Sequence, residues 1–287
     1  MCKGLLLFLL LIAVSANAQQ DTLVVTTSSI ETKSVSDSVK VEPIYKLKPA
    51  VDLPILGIGS AWSLYAFTKI YDKDSSSPAK ILSLDKNDIP GFDRWATKYY
   101  IHEGWHSGDP LFYGSMPLPV LVILVDGKLR KDFFKLTFLY LETMSITGLL
   151  YTGSVYHTNR YRPYAYNPDV EMKTRTRGGA KNSFYAGHVA LVASSTFFTA
   201  QVLSDYHPAS KIKWLYYTIA GAATGTAAYL RLKGGQHFPS DILLGITQGT
   251  LTGIFVPRLH KNKALKERLS IVPLMGDNKG VLVVYNF

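Results

Sequence analysis

One stretch of the sequence places residues capable of chemistry between two uncharged segments. Residues 231–241 read RLKGGQHFPSD, in which arginine, histidine and aspartate have the spacing R-x5-H-x3-D. An arginine fork binds a tetrahedral oxyanion through parallel hydrogen bonds. A histidine can attack phosphorus when a carboxylate fixes its tautomer through the other ring nitrogen. The stretch therefore predicts one wall of a phosphate site, formed by Arg231, His237 and Asp241.

Two further polar groups stand at the edges of apolar segments. The first is Arg160-Tyr161-Arg162-Pro163, and the second is Gly187-His188, which begins a long apolar stretch. A glycine at a helix N-terminus lets backbone N–H groups approach an anion closely. A second histidine can protonate a leaving oxygen. Together with residues 231–241, these groups supply each component of a phosphoryl-transfer site.

The three motifs, in this order, resemble the type 2 phosphatidic acid phosphatase (PAP2) and haloperoxidase superfamily. They read RYRP, SFYAGH and R-x5-H-x3-D, and the resemblance covers roughly residues 50–260. It implies that His237 is the nucleophile that forms a phosphohistidine, that Asp241 orients it and that His188 is the general acid. No metal or cofactor takes part in the implied hydrolysis. The groups implied to hold the phosphate are Arg162, Arg231 and the backbone of Gly187.

Two positions depart from the superfamily pattern. Val155 stands seven residues before Arg162, where the superfamily usually has lysine, and Ala186 stands where it usually has serine. Each lost charge-assisted hydrogen bond costs about 1.5–3 kcal/mol. Arg160 and Lys181 are candidate replacements for the lysine, and we include Arg160 among the expected phosphate ligands. The sequence predicts an active but atypical enzyme.

Other interpretations fit the same residues. Pro239-Ser240-Asp241 suits a helix start whatever the function, so the third motif also fits a solvated loop in which Asp241 caps a helix. A phosphate- or lipid-binding protein that has lost turnover would keep the same pocket. A haloperoxidase would use it for vanadate.

A zinc protease is a further alternative. Residues 102–106 read HEGWH, which matches the H-E-x-x-H motif, with Glu142 as a candidate third ligand. The motif needs a helix, which Gly104 weakens and which the residues 107–110, SGDP, would end. We favour a loop that shapes access to the phosphate site.

Helices are needed to position these groups. Six uncharged windows rich in small residues predict an all-α, PAP2-like bundle of about six core helices. Ser270–Phe287 predicts a short C-terminal β-hairpin, because two apolar runs flank the turn sequence GDNKG. The windows are 53–68, 110–125, 143–159, 182–204, 214–230 and 242–257.

Composition sets the expected organisation and partners. Residues 1–18 predict a cleaved secretory signal, which would remove Cys2, the only cysteine. The net charge of +10 favours anionic partners, and the lack of an arginine-rich helix or an aromatic RNA-binding motif argues against nucleic acid. The predicted segments are a signal peptide (1–18), a flexible lead-in (19–50), a phosphatase domain (51–262) and a C-terminal extension (263–287).

The number of membrane spans stays open at this stage. Five of the six windows hold only 16 or 17 residues, the lower limit for a span, and the mean hydropathy is +0.09. If a cleaved signal precedes three spans, the polar loops at 160–183 and 231–241 face the cytoplasm. We expect an exported, periplasmic or membrane-associated phosphomonoesterase or pyrophosphatase that acts on a phosphorylated small molecule or lipid.

Overall fold

The computed structural model describes residues 43–101, 109–262, 269–274 and 280–285. The signal sequence, most of the lead-in and the HEGWH motif lie outside these residues. Within them, ten α-helices account for most of the chain, as the all-α prediction requires. The helices are α1 (Pro49–Tyr71), α2 (Pro78–Leu82), α3 (Gly91–Arg94), α4 (Asp109–Ser115), α5 (Leu118–Val125), α6 (Phe133–His157), α7 (Met172–Arg175), α8 (Gly187–Tyr206), α9 (Lys213–Lys233) and α10 (Pro239–His260).

Two strands follow the helices. They are β1 (Leu269–Leu274) and β2 (Gly280–Tyr285), which pair in antiparallel fashion. The register places Leu269 opposite Tyr285 and Leu274 opposite Gly280. These strands lie in the segment for which the sequence predicts a hairpin.

Helix α8 is the central helix of the bundle. It packs most extensively against α10, and then against α9 and α6. Alanine, serine, threonine and valine fill most of its buried positions, so neighbouring helices can approach it closely. Larger side chains enter the core further along, where Phe198 packs against Tyr140 with ring centres 5.2 Å apart.

Three glycines of α10 set its distance from α8. Gly245, Gly249 and Gly253 are spaced by four residues and therefore share one helix face. A Cβ atom at Gly249 would lie 2.2 Å from the carbonyl oxygen of Ala190. One at Gly245 would lie 2.7 Å from that of Ala186. The two backbones are therefore in direct contact, and any side chain at these positions would push them apart.

A ring of three buried hydroxyl groups joins α6, α8 and α10. The oxygen of Thr147 lies 2.8 Å from that of Ser194 and 2.9 Å from that of Thr252. The oxygens of Ser194 and Thr252 are 2.8 Å apart. Interhelical hydrogen bonds of this kind contribute about 0.6 kcal/mol on average in membrane bundles. The ring therefore fixes the relative positions of the three helices more than it adds stability.

The bundle has two different ends. The loop end carries two long connections, 72–101 and 158–186, and the short connection 234–238, whereas the short-turn end carries only short connections among the described residues, 126–132 and 207–212. Helices α1, α6 and α9 run towards the loop end, and α8 and α10 run away from it. At the loop end, Lys73 Nζ donates to the carbonyl of Thr158 at 2.6 Å. At the short-turn end, His207 Nε2 lies 2.8 Å from a carboxylate oxygen of Asp126.

The first described residues pair with the residue after α10. Tyr45 and Lys261 form an isolated antiparallel bridge at the short-turn end. The Tyr45 side chain is fully buried, and its hydroxyl donates to Asp205 at 2.7 Å. Packing therefore begins before residue 51, whereas the sequence predicted a flexible lead-in up to residue 50.

Within the described ranges, three helical segments are long and apolar enough to cross a membrane. They are Pro49–Tyr71, Leu129–His157 and Pro239–His260. Large apolar side chains on their outer faces are exposed, among them Leu64 and Phe255. Such faces are unfavourable in water and favourable against lipid tails. These features indicate membrane association.

Candidate active site

His237 lies in the loop between α9 and α10, and only 1% of its surface is exposed. Its Nδ1 atom is 2.6 Å from the backbone carbonyl oxygen of Ser183. A carbonyl oxygen can only accept a hydrogen bond, so Nδ1 carries the proton and Nε2 keeps its lone pair. Burial, together with the charge of Arg162, lowers the pKa of His237 well below its ordinary value. The ring is therefore neutral at pH 7, with Nε2 able to act as a nucleophile.

Asp241 contacts Ser183 rather than the histidine ring. One carboxylate oxygen accepts from the Ser183 hydroxyl at 2.6 Å and from the Phe238 N–H at 3.1 Å. In the described structure, the hydrogen-bond partner of His237 Nδ1 is the Ser183 carbonyl. This corrects the expectation that Asp241 orients the ring directly. Asp241 instead accepts from the Phe238 N–H and caps α10, as in the alternative interpretation of Pro239-Ser240-Asp241. It is connected to His237 only through Ser183.

Arg160 belongs to the same carboxylate cluster. Its Nη1 atom donates to Asp241 and, at 3.0 Å, to the Ser240 hydroxyl. Its Nη2 atom donates to Asp93 at 2.6 Å, and its guanidinium carbon lies 4.4 Å from the centre of the Phe238 ring. These partners take three of the five N–H groups of the guanidinium. The role of Arg160 as a phosphate ligand stays a prediction, and its observed role is to join two carboxylates.

Asp93 is a site residue that the sequence analysis missed. It is 2% exposed and accepts hydrogen bonds from both the backbone N–H of Ser240, at 2.9 Å, and its hydroxyl, at 2.6 Å. A carboxylate in this position satisfies the first free N–H groups of α10 and complements the helix dipole. Asp93 and Arg160 together therefore hold the start of α10 against the loop that follows α6.

Two arginines lie close to both histidines. The charges of Arg162 and Arg231 act on His188 and on His237. The Nε atoms of both arginines are buried and have no hydrogen-bond partner among the described residues. Arg162 Nη1 donates to the side-chain oxygen of Gln236, which the sequence analysis also missed. Buried donors of this kind call for an acceptor, and an oxyanion between the two guanidinium groups would supply one.

His188 is the second residue of α8 and faces the same region. Its Nε2 atom lies 3.9 Å from a carboxylate oxygen of Asp109, and its ring centre lies 4.4 Å from that of Phe112. The same Asp109 oxygen accepts a hydrogen bond from Arg231. Asp109, to which the sequence analysis assigned no role in the phosphate site, therefore connects the expected general acid to an expected phosphate ligand.

Gly187 precedes His188 at the first position of α8. A Cβ atom there would lie 2.4 Å from two carbons of the Tyr151 ring. Packing against Tyr151 therefore requires glycine at this position. His188 follows it in the first turn of α8, so the free N–H groups of that turn lie at the same helix end as His188.

The two positions that depart from the superfamily pattern are both inaccessible. Val155 and Ala186 are 0% exposed. Lys73 reaches the end of α6, where it donates to the carbonyl of Val155 at 2.8 Å. Lys181 and Arg160 both stay candidate replacements for the lysine, and Arg160 also donates to two carboxylates.

Glu142, the candidate third ligand of the HEGWH motif, lies away from the phosphate-site residues. It is 1% exposed, and a carboxylate oxygen is 3.4 Å from Nε2 of His260, the last residue of α10. The other two residues of that candidate zinc set are outside the described ranges.

A comparison with protein families matches the part of the chain that carries these motifs. Residues 136–265 match the family model of the PAP2 superfamily. Among solved structures, the chain is similar to the crystal structure of the first transmembrane PAP2 type phosphatidylglycerolphosphate phosphatase from Bacillus subtilis. The identity is 19%, the match covers 72% of this chain and 96% of that chain, and the TM-score is 0.42. No curated protein matches the chain.

Proposed function

We propose that this protein is a membrane-associated phosphatase that hydrolyses a phosphomonoester or pyrophosphate through a phosphohistidine. The observation that carries the proposal is the tautomer of His237, whose Nδ1 donates to the Ser183 carbonyl and leaves Nε2 free beside two arginines. The match of residues 136–265 to the family model of the PAP2 superfamily supports the same chemistry.

The proposed reaction has two steps. In the first, His237 Nε2 attacks phosphorus in line with the leaving oxygen, the P–N bond forms and the P–O bond breaks. His188 gives its proton to the departing oxygen, which leaves as an alcohol or phosphate. In the second, His188 accepts a proton from water, the water oxygen bonds to phosphorus and the P–N bond breaks. Inorganic phosphate and the original neutral His237 result.

Arg162, Arg231 and the first N–H groups of α8 hold the phosphoryl oxygens in this proposal. Both guanidinium groups have a buried Nε–H without a partner among the described residues, and each could turn towards an oxyanion. A bound phosphate would also offset the two positive charges that act on His188. Its negative charge, together with the Asp109 carboxylate, would favour the protonated form of His188 that a general acid needs.

Ser183, Asp241, Arg160 and Asp93 act as positioning residues. They form a connected series from the ring of His237 to the N-terminus of α10. The series fixes the ring without touching the substrate. The proposal thus keeps Asp241 in the site but changes how it acts.

A lipid phosphate is the substrate class that we favour. Among the described residues, three helical segments are long and apolar enough to span a membrane, and large apolar side chains are exposed on each of them. A pocket at the end of such a bundle lies at the depth of lipid headgroups. Phosphatidate, a polyprenyl pyrophosphate and a lipid A phosphate are the substrates to compare. We also propose that the protein is exported, and this part of the proposal depends on the signal sequence predicted for residues 1–18.

Phosphate release from these lipids and from soluble phosphomonoesters tests the proposal. The purified protein is assayed in detergent with and without EDTA, beside His237→Ala and the matched control His157→Ala, which removes an exposed histidine at the end of α6. We expect EDTA-resistant release that falls by a factor on the order of 10⁴ or more in His237→Ala only. An acid-labile phosphoprotein should form in the wild type and be absent from that variant.

Activity that survives in His237→Ala would exclude this nucleophile. A folded wild-type protein that releases no phosphate from any substrate, yet binds it, would favour the catalytically impaired alternative. Zinc-dependent peptide cleavage lost in His102→Ala would instead support the protease.

A further inference from the structure

A second cluster of titratable side chains is buried far from the phosphate site. Its members are Asp52 in the first turn of α1, Glu142 in α6 and His260 at the end of α10, with exposed fractions of 2%, 1% and 9%. Asp241 and His260 are 19 residues apart on one helix, a rise of about 28 Å. The cluster therefore lies towards the short-turn end and is separate from the chemistry of His237.

Hydrogen bonding fixes the orientation of the His260 ring. Its Nδ1 atom is 2.8 Å from the carbonyl oxygen of Val256, so Nδ1 carries a proton. The Nε2 atom then faces Asp52 Oδ1 at 3.2 Å and Glu142 Oε2 at 3.4 Å. A lone pair on Nε2 would repel two carboxylate oxygens at these distances. A proton on Nε2 or on a facing carboxyl group, or a metal ion, must therefore lie among the three atoms.

A single proton does not satisfy the cluster. A proton on Nε2 points in one direction, and Glu142 Oε2 is buried with no hydrogen-bond partner among the described residues. The other oxygen of Asp52 already accepts from the backbone N–H of Lys48 at 2.5 Å. A buried carboxylate oxygen without a donor is costly and needs a cation or a hydrogen bond.

The geometry and charge match a divalent ion. Metal–ligand bonds of 2.0–2.1 Å at tetrahedral angles place ligand atoms about 3.3–3.4 Å apart. The two distances from His260 Nε2 are 3.2 and 3.4 Å, and all three ligand atoms lie within 4.8 Å of one another. Two carboxylates and a neutral imidazole carry the charge that a divalent cation neutralises. One nitrogen and two oxygens are a donor set suited to zinc.

We propose that Asp52, Glu142 and His260 form a structural site for a divalent transition-metal ion of the zinc type. The ion ties together the three segments that are long and apolar enough to cross a membrane, because each contributes one ligand. It takes no part in the phosphoryl transfer proposed for His237. Binding to the folded state alone stabilises it in proportion to the logarithm of the free metal concentration.

Zinc content and thermal stability test this site. The full chain, purified in detergent without a histidine tag, is treated with chelator, dialysed and titrated with ZnCl₂. We expect about one tightly bound zinc ion per chain and a Tm that rises with free zinc. Asp52→Asn and Glu142→Gln keep the side-chain volumes, and each should abolish both effects.

Two control variants separate this site from other zinc ligands. His207→Ala removes a partly exposed histidine that faces Asp126, and His102→Ala removes the first residue of the HEGWH motif. Both should keep the bound zinc. A folded wild-type protein that binds no zinc would overturn the proposal whether or not any variant folds. So would zinc that stays in folded Glu142→Gln, or that is lost in His102→Ala or His207→Ala.

Discussion

The hydroxyl group of Ser183 is predicted to transmit the effect of Asp241 to His237. It donates to the Asp241 carboxylate at 2.6 Å, and the carbonyl of the same residue accepts from His237 Nδ1 at 2.6 Å. In Ser183→Ala the backbone carbonyl at position 183 remains and still accepts from His237. The hydrogen bond from this residue to the Asp241 carboxylate is lost, so its backbone is no longer held in place. The His237 ring then loses its fixed direction without losing its tautomer.

The expected size of the effect follows from the bond that is removed. A hydrogen bond to a charged acceptor is worth about 1.5–3 kcal/mol. At about 1.4 kcal/mol for each factor of ten in rate, full expression of this loss in the transition state lowers kcat by about 10- to 150-fold. Asp241→Asn should cost more, because it also removes the charge that faces Arg160. The kcat of the double variant should be no lower than that of Asp241→Asn alone, since both substitutions remove the same hydrogen bond between Ser183 and Asp241.

Steady-state phosphate release gives kcat and KM for the wild type, both single variants and the double variant. Ser194→Ala is the matched control, because it removes another buried serine hydroxyl, from the ring in the middle of the bundle, and should keep kcat close to that of the wild type. Thermal unfolding checks that each variant is folded. Wild-type kcat in Ser183→Ala, or additive losses in the double variant, would mean that Asp241 acts on the ring by itself.

Two further predictions concern stability. Gly249→Ala should lower the free energy of unfolding by about 1–3 kcal/mol, because the added Cβ atom would lie 2.2 Å from the carbonyl oxygen of Ala190. The control is Gly221→Ala, whose Cβ atom would have nothing within 4 Å. This variant should be neutral or more stable by up to about 1 kcal/mol. Equal Tm values for the two variants would contradict direct backbone contact between α8 and α10. The free energy of unfolding should also fall as the pH drops below about 6.5. The pKa of His237 is lowered in the folded protein, so its ring stays neutral there, whereas the same ring takes up a proton in the unfolded chain. The Tm of His237→Gln should fall less than that of the wild type between about pH 7.5 and pH 5, whereas His157→Gln should follow the wild type.

The sequence predicted the long helices well where they are uniform. The windows 214–230 and 242–257 fall inside α9 and α10. Small and apolar residues fill them, and Pro257, in the last turn of α10, does not end that helix. The window 110–125 instead forms two helices, α4 and α5. A proline at position 117 has no N–H to continue the first helix and favours the start of the second.

The sequence predicted the three motifs of the candidate site but not the hydrogen bonds that join them. The three polar groups meet at the loop end because each stands at a helix end. Asp93 is 147 residues from Ser240, so no local spacing could indicate that the two are bonded. The resemblance to the PAP2 superfamily implied that Asp241 orients His237. The position of Asp241 at the start of α10 draws its carboxylate back to the Phe238 N–H instead.

The bridge between Tyr45 and Lys261 constrains how the chain can be threaded through a bilayer. Two adjacent residues lie on one side of a membrane, so the chain between them crosses an even number of times. Three of the described helical segments between them are long and apolar enough to cross a membrane. If α8, α9 and the pair of α4 and α5 also cross, the passages from α1 to α10 number six in the described residues, and His237 lies on the face opposite to the bridge. A signal sequence that delivers residue 43 to the periplasm would leave the phosphate pocket facing the cytoplasm. With these six passages, a periplasmic phosphate site requires Tyr45 and Lys261 to lie on the cytoplasmic side of the membrane. The first described residues and the catalytic face then lie on opposite sides, so only one of them is exported.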